Sequence, residues 1–370
     1  MGTFAVIAAG GTGGHVVPGL AVARALVAAG HAPDEIHFVG SRRGIDAEVV
    51  PAAGFPLTTL PGRGIERRLS LAAIGAVLSI VAGVWRGIGV VRRLRPSVVV
   101  AFGGYAAVPC VVGAVLWRVP LVVVARDARA GAADRLAARF AAACAVPFAD
   151  TDLPRAVVTG NPVRPEVLAV DPERDRDVAR AELGLPPDRT VVAVFTGSLG
   201  SARVNAAVAE LVRRWRDRSD VAIRHVTGRR DFDELAADPP GLEPGGLVYQ
   251  LVAYEDRMDL VLAAADVAVT RAGGATVAEL AVVGLPAVLV PLPIATRDHQ
   301  TANARSLVSA GAAVLVPDDE LGADRLEAEL GPLVADPARR ADMAARARRL
   351  GRRDAADAVA RLVEDHARRR

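Results

Sequence analysis

The sequence predicts an α/β protein made of two tandem Rossmann-like units, with parallel sheets facing across a cleft. Three observations predict it. Short, wholly apolar runs alternate with Ala- and Leu-rich helical stretches along the whole chain. That pattern belongs to parallel strands covered by helices on both faces. A glycine-rich turn follows the first apolar run of each half, and a doubled proline near residues 161–165 separates the halves. At 370 residues the chain is also long enough for two domains rather than one.

In chain order, the first strand is read at 4–9 (FAVIAA), followed by apolar runs at 36–39, 97–101 and 121–124. Helices are read at 18–29, 69–94, 104–117 and 131–142 between them. A charged stretch then follows Asn161-Pro162-Val163-Arg164-Pro165, and the pattern restarts with a strand at 190–196 and a helix from Ala202. Further strands are read at 221–226, 247–252, 266–270, 287–290 and 313–316. This places one domain at 1–160 and a second at 161–350. The tail beyond Pro337 reads as a helix or helix pair with an arginine-studded, solvated face.

Composition removes several functions. All 45 basic residues are arginine, so a Walker A lysine and Schiff-base chemistry are excluded. Two cysteines, Cys110 and Cys144, make neither a disulfide scaffold nor a four-cysteine zinc site, and suit a reducing cytoplasm. A net charge of +3 and 4% aromatics argue against a nucleic-acid partner. The opening MGTFAVIAAGG lacks the basic segment of a signal peptide and reads as a strand. Charge is concentrated locally: from Arg63 to Arg95 seven arginines stand against Glu66 alone, around an uncharged run at Leu69–Trp85. That run is short for a membrane span, and its arginine flanks suit a helix lying on an anionic bilayer; a buried core helix with a basic end is the competing reading.

The chemistry-bearing motifs follow strands. Gly10-Gly11-Thr12-Gly13-Gly14-His15 closes the first, where glycine amides and a helix N-terminus favour an anion. It is not the dinucleotide fingerprint, because Val16 takes the last glycine's place and no acid ends the second strand. His15 at this mouth suits either a general base or a local backbone contact. Thr196-Gly197-Ser198-Leu199-Gly200-Ser201 holds the equivalent place in the second half, and two such loops imply a ligand between them. Arg164 is a charge partner for a diphosphate, or a surface ion pair. Arg271-Ala272-Gly273-Gly274 leads to Glu279, which either accepts ribose hydroxyls or complements a helix dipole. Asp298-His299-Gln300 has the side chains that read sugar hydroxyls.

Together, GGTGGHVVPGLAVARAL, FGGYAAVP, GNPVR, GSLGSARVN, YEDRM, RAGGATVAEL and DHQTANA resemble the MurG family of lipid II-forming N-acetylglucosaminyltransferases, in collinear order over nearly the whole chain. The resemblance implies a GT-B fold and inverting transfer of GlcNAc from UDP-GlcNAc, without metal or cofactor. The acceptor would be the MurNAc C4 hydroxyl of undecaprenyl-pyrophosphoryl-MurNAc-pentapeptide, at the cytoplasmic face of the cell membrane, with the protein bound peripherally and cell-wall synthesis proteins as further partners. It implies an acceptor and membrane role for 1–160, a UDP-sugar role for 161–350, and a helix in 351–370 that packs back on the first domain. Arg164 and Ser198 would meet the diphosphate, Tyr254 and Glu255 the uracil, Glu279 the ribose, and His299 with Gln300 the GlcNAc. Thr12, Gly13, Gly14, His15 and Tyr105 would face the acceptor. The sequence departs from the family at Val124-Ala125-Arg126-Asp127, where His-Glu-Gln-Asn is usual, and at Asp134, where a second Asn is usual. The departure makes Asp127 a second candidate base beside His15, and an anion beside the acceptor's pyrophosphate would be unfavourable unless Arg126 or Arg129 compensates it. The competing functions are a transferase for another acceptor, a UDP-sugar-binding scaffold that has lost turnover and, more distantly, an NADP oxidoreductase.

Overall fold

The computed structural model describes residues 2–10, 13–42, 44–60, 71–104, 107–197 and 199–368, with the backbone alone at 71–82. Thr12, Tyr105, Ser198 and the arginines at 63, 67 and 68 lie outside the described residues. The chain divides into two compact units, Met1–Arg164 with Arg353–Arg370, and Pro165–Arg352.

The first unit is a seven-stranded sheet: β1 (Ala5–Ala8), β2 (Ile36–Ser41), β3 (Leu57–Leu60), β4 (Val98–Ala101), β5 (Leu121–Val124), β6 (Ala143–Val146) and β7 (Ala156–Val158). Their order is β3-β2-β1-β4-β5-β6-β7, and every pairing is parallel. Side chains alternate across a strand, so one face carries Ala5, Ile7, Phe38, Val100 and Val122, packed with residues of α1 (Gly13–Ala28) and α15 (Ala355–His366). The other face carries Val6, Ala8, Val99 and Val123, packed with residues of α3 (Leu71–Leu94), α4 (Ala107–Leu116) and α5 (Ala132–Ala138). Both faces are dry, hence the continuous apolar strands. The last helix, α15, contributes Val359 and Val363 to the first face, and beyond it the Arg368 amide donates to the Ser97 carbonyl at 3.0 Å.

The second unit is a six-stranded parallel sheet: β8 (Thr190–Phe195), β9 (Val221–Val226), β10 (Val248–Val252), β11 (Val267–Thr270), β12 (Ala287–Leu289) and β13 (Ala313–Leu315). The order is β10-β9-β8-β11-β12-β13. In both sheets the strand order reverses beside the unit's first strand, between β1 and β4 and between β8 and β11. Doubly wound sheets open a crevice at the carboxyl ends of such strands.

Three strands were not expected. β3, β6 and β7 are three or four residues long. β7 is an edge strand whose residues are all exposed, so it has no buried apolar pattern to announce it. β6 (ACAV) sits in the expected 131–142 helix's shadow, and that helix ends early, at Ala138. Helix α1 begins earlier than expected, at Gly13, so the glycine-rich turn is its first turn and Pro18 lies inside it. Proline has no N–H for the carbonyl four residues back, here that of Gly14. The Arg126 guanidinium takes its place, with Nη1 donating to the Gly14 oxygen at 2.8 Å.

Candidate active site

In the first unit, loops from the carboxyl ends of β1, β4 and β5 bring Gly13, Gly14, His15, Gly103, Gly104, Arg126 and Asp127 into one neighbourhood. Gly104 adopts φ +78°, and a Cβ there would lie 2.7 Å from the Gly10 oxygen and 3.4 Å from His15 Nε2. Gly103, also at φ +78°, would meet Asp134 Oδ1 at 2.9 Å. Both positions need glycine for conformation and for space. Arg126 is fixed from two sides. Its guanidinium holds Gly14, and its carbonyl accepts from Asn161 Nδ2 at 2.7 Å. This threads the Asn-Pro segment to the first-strand loop.

Burial sets the protonation here. His15 is pushed down to about 3, first by desolvation and then by the Arg126 charge, with Asp127 opposing. The imidazole is therefore neutral and able to receive a proton, and Asp127 is the group that favours the imidazolium. Asp134 moves the other way: desolvation raises its carboxyl, helped by Asp127 and opposed by Arg126 and the Gly131 amide. The Asp134 carboxyl is thus held above its ordinary range, toward the acid that can donate as well as accept. Arg164 closes the first unit, half-buried immediately before Pro165.

In the second unit the loop after β8 leads into α8 (Ala202–Arg214). Gly200, at φ +70°, lies against the Thr227 carbonyl and Gly228, where a Cβ would collide, whereas a Cβ on Gly197, at φ +90°, would meet nothing within 4 Å. The loop thus packs on one side and stays open on the other. Ser201 caps α8 by accepting from the Val204 amide at 3.4 Å. Its hydroxyl also accepts from Arg271 Nη2 at 2.7 Å. Arg271 Nη1 donates to the carbonyls of Val290 and Pro291 and to Asp318 Oδ1, at 3.1, 3.0 and 2.6 Å. One guanidinium therefore ties together the loops that follow β8, β11, β12 and β13.

Gln300, in α12 (His299–Ser309), reinforces this: its Oε1 accepts from the amides of Ala272 at 3.2 Å and Leu292 at 2.9 Å. His299 Nδ1 lies 3.0 Å from the Thr296 oxygen. Before them Arg297 and Asp298 hold left-handed backbone at φ 57° and 51°, a conformation that costs non-glycine residues energy and clusters at functional sites. Glu279 is half-buried in α11 (Gly274–Val283). After β10, Glu255 pairs with Arg224 at 2.5 Å and accepts from the Arg257 amide at 2.9 Å. The Glu255 carboxylate thereby shapes its loop, while Tyr254 is exposed with Arg229 over its ring at 4.6 Å.

Beneath α8, Asn205 Nδ2 donates to the Thr227 carbonyl and to Asp231. Its Oδ1 must then accept from His225 Nε2–H, which leaves Nδ1 to accept from the Tyr249 hydroxyl. Burial pushes His225 down to about 4, so this buried histidine is neutral and structural. Sequence reasoning singled out Gly13, Gly14, His15 and Gln300, which sit where strand ends converge. It missed Ser201 and the tie made by Arg271, although both stand inside motifs it quoted. Asp134 it noticed only as a departure. Among the described residues no group of three or more His, Cys, Asp or Glu is arranged to hold a metal.

Comparison with known proteins places this arrangement. Residues 5–146 match the glycosyltransferase family 28 N-terminal domain, and residues 191–359 match the glycosyltransferase family 28 C-terminal domain. A Nocardioides sp. protein named UDP-N-acetylglucosamine--N-acetylmuramyl-(pentapeptide) pyrophosphoryl-undecaprenol N-acetylglucosamine transferase is 42% identical, over 97% of this chain and 96% of its own. A protein of the same name from Desulforudis audaxviator is 37% identical, over 97% of each chain. The crystal structure of Acinetobacter baumannii MurG has a TM-score of 0.75 at 24% identity, covering 99% of this chain and all of that one, and bears out the GT-B class of fold. With both halves matched and relatives alike over nearly their full length, the chain belongs to glycosyltransferase family 28, among the MurG-type N-acetylglucosamine transferases.

Proposed function

We infer that this protein transfers GlcNAc from UDP-GlcNAc to undecaprenyl-pyrophosphoryl-MurNAc-pentapeptide, the lipid I to lipid II step of peptidoglycan synthesis. The observation that carries the reading is identity of about 40% with transferases of that name across both units. The first unit handles the acceptor and the second the donor.

The acceptor's C4 hydroxyl attacks the anomeric carbon while the bond to the UDP oxygen breaks, with inversion. Neutral His15 takes the hydroxyl proton, and Asp127 stabilises the imidazolium that results. General-base help of this kind contributes roughly 10²–10⁴ in rate. Arg126 and the Gly13–Gly14 amides, with Thr12 and Tyr105, receive the acceptor and its pyrophosphate. The charge that develops on departing UDP falls on the open side of the Gly197–Gly200 loop with Ser198, on the N-terminus of α8, and on Arg164. Tyr254 and the Glu255 loop take the uracil, Glu279 the ribose, and His299 with Gln300 the sugar.

The protein binds peripherally to the cytoplasmic face of an anionic membrane. Among the described residues no helix is long and apolar enough to cross one. What supports surface binding is Trp85, 70% exposed and lining one depression with Arg42, Arg86 and Arg93, together with exposed Leu116 and Trp117, the Arg92 guanidinium lying 5.3 Å over the Trp117 ring. Sedimentation with anionic, but not zwitterionic, vesicles checks this. For the reaction, purified protein is incubated with UDP-GlcNAc and a short-chain lipid I analogue, and the disaccharide product is sought by mass spectrometry. Bound UDP-GlcNAc with no product from any such acceptor would sink the reading.

A further inference from the structure

Between α4 and α5 the first unit contains an apolar cavity of about 220 Å³. Its inner end is made by Ala101, Gly103 and Asp134, and its outer mouth by Val115, Leu116 and Phe140. We propose that this cavity receives the first isoprene units of the acceptor's polyprenyl chain, a proposal that rests on the transfer reading above.

Three features of the cavity point to that occupant. Among the described residues of the wall Asp134 is the one ionisable group, the rest being Ala, Val, Leu, Phe and Gly, and burial raises its carboxyl pKa, so the surface suits hydrocarbon. The mouth is left wet although it is apolar: Val115, Leu116 and Phe140 are 40%, 58% and 56% exposed. Contiguous apolar surface of this kind marks a binding site. The inner end is continuous with the acceptor neighbourhood, since Gly103 and Asp134 also stand beside His15, Gly104 and Arg126. A pyrophosphate seated at Arg126 would therefore have its lipid-side oxygen at the cavity's inner end, with an apolar path outward to a mouth near exposed Arg135 and Arg139. Size agrees: apolar cavities of about 150 Å³ already admit benzene, so 220 Å³ holds a branched unit of five to ten carbons.

The occupant is separated from others by two variants at exposed positions of the wall, Ala133→Phe, which fills the cavity, and Val115→Asn, which wets it. Direct binding of geranyl diphosphate and of inorganic pyrophosphate is measured by titration calorimetry. KM is then compared for acceptor analogues carrying geranyl or methyl on the same pyrophosphoryl-MurNAc-pentapeptide. We expect each variant to weaken geranyl diphosphate binding by about tenfold or more, to raise the KM of the geranyl acceptor similarly, and to leave pyrophosphate, the methyl acceptor and UDP-GlcNAc unchanged. Equal effects on the geranyl and methyl series, or none on either, overturn the proposal. So does a change in self-association without a change in prenyl binding, which would assign the cavity to a second copy of the chain. If the wild type binds geranyl diphosphate with the expected sensitivity to both variants yet turns over no acceptor, the transfer reading fails and the prenyl site stands.

Discussion

The two glycine loops occupy the same place in their units, after the first strand and before the first long helix, but they are built for different work. The loop after β1 surrounds a half-buried histidine with Arg126, Asp127 and Asp134, whose charges push one another's protonation. The loop after β8 has no such group. It offers backbone, a capped helix end, and a guanidinium already committed to holding four loops together. Topology decides where a ligand can sit, and the side chains brought in from distant strands decide whether the place moves a proton or receives a charge.

That contrast can be broken most decisively at His15. His15→Ala should lower kcat by about 10³-fold while UDP-GlcNAc affinity holds; loss of donor affinity instead would erase the division of labour. The same residue links pH to stability. With its pKa near 3 in the folded protein against 6.5 in the unfolded chain, stability is full above 6.5 and declines as pH falls toward 3, by at most about 1.4 kcal/mol per unit. A variant at this position should lose that dependence, as acid-titrated denaturation midpoints would reveal.

Next in size is Arg271→Ala. Removing it takes from Asp318 the more buried of its two arginine partners, leaving Arg203, and leaves the Val290 and Pro291 carbonyls and the Ser201 hydroxyl without their donor. The cost should be about 3 kcal/mol in urea unfolding, from the buried acceptors left unsatisfied, together with weaker UDP-GlcNAc binding and unchanged acceptor binding. Glycine substitutions sharpen the picture within one loop. Gly200→Ala meets the Thr227 carbonyl at positive φ, whereas Gly197→Ala is strained only by φ. The first should therefore cost about 2 kcal/mol and the second about 1; the reverse order would show that the open side is not open.

The smallest effect belongs to Asp134→Asn. A raised carboxyl pKa means that the unfolded chain ionises first as pH rises through the ordinary carboxylate range, and folding is penalised above it. The amide should thus stabilise the protein by about 1 kcal/mol at pH 7 and by nothing below pH 3. If transfer by the parent declines as Asp134 ionises, the amide should also flatten that limb of the pH–rate profile.

Legibility followed range. Buried strands such as β1, β4, β5 and β8 were plain because every residue in them but Thr190 is apolar, and the glycine turns were plain because few other residues tolerate them. β3, β6 and β7 were not, being short and either half-wet or lost against a neighbouring helix. Pairings between distant residues left the faintest trace. The helix was expected to start at Pro18, and nothing local says that the proline lies inside it or that Arg126, 112 residues beyond Gly14, replaces the missing bond. Arg271 likewise stood inside a quoted motif while its partners, Ser201 and Asp318, came from other loops.

The return of α15 to the first sheet has a consequence for biosynthesis. Val359 and Val363 complete the face begun by Ala5 and Ile7, so the unit translated first lacks part of its core until Ala355–His366 have left the ribosome. The second unit, continuous from Pro165 to Arg352, has all of its chain earlier. Synthesis order and completion order are therefore opposite. For the interval between them the nascent chain carries an uncovered strip along α1, β4 and β5, the surface on which a chaperone would be expected to act.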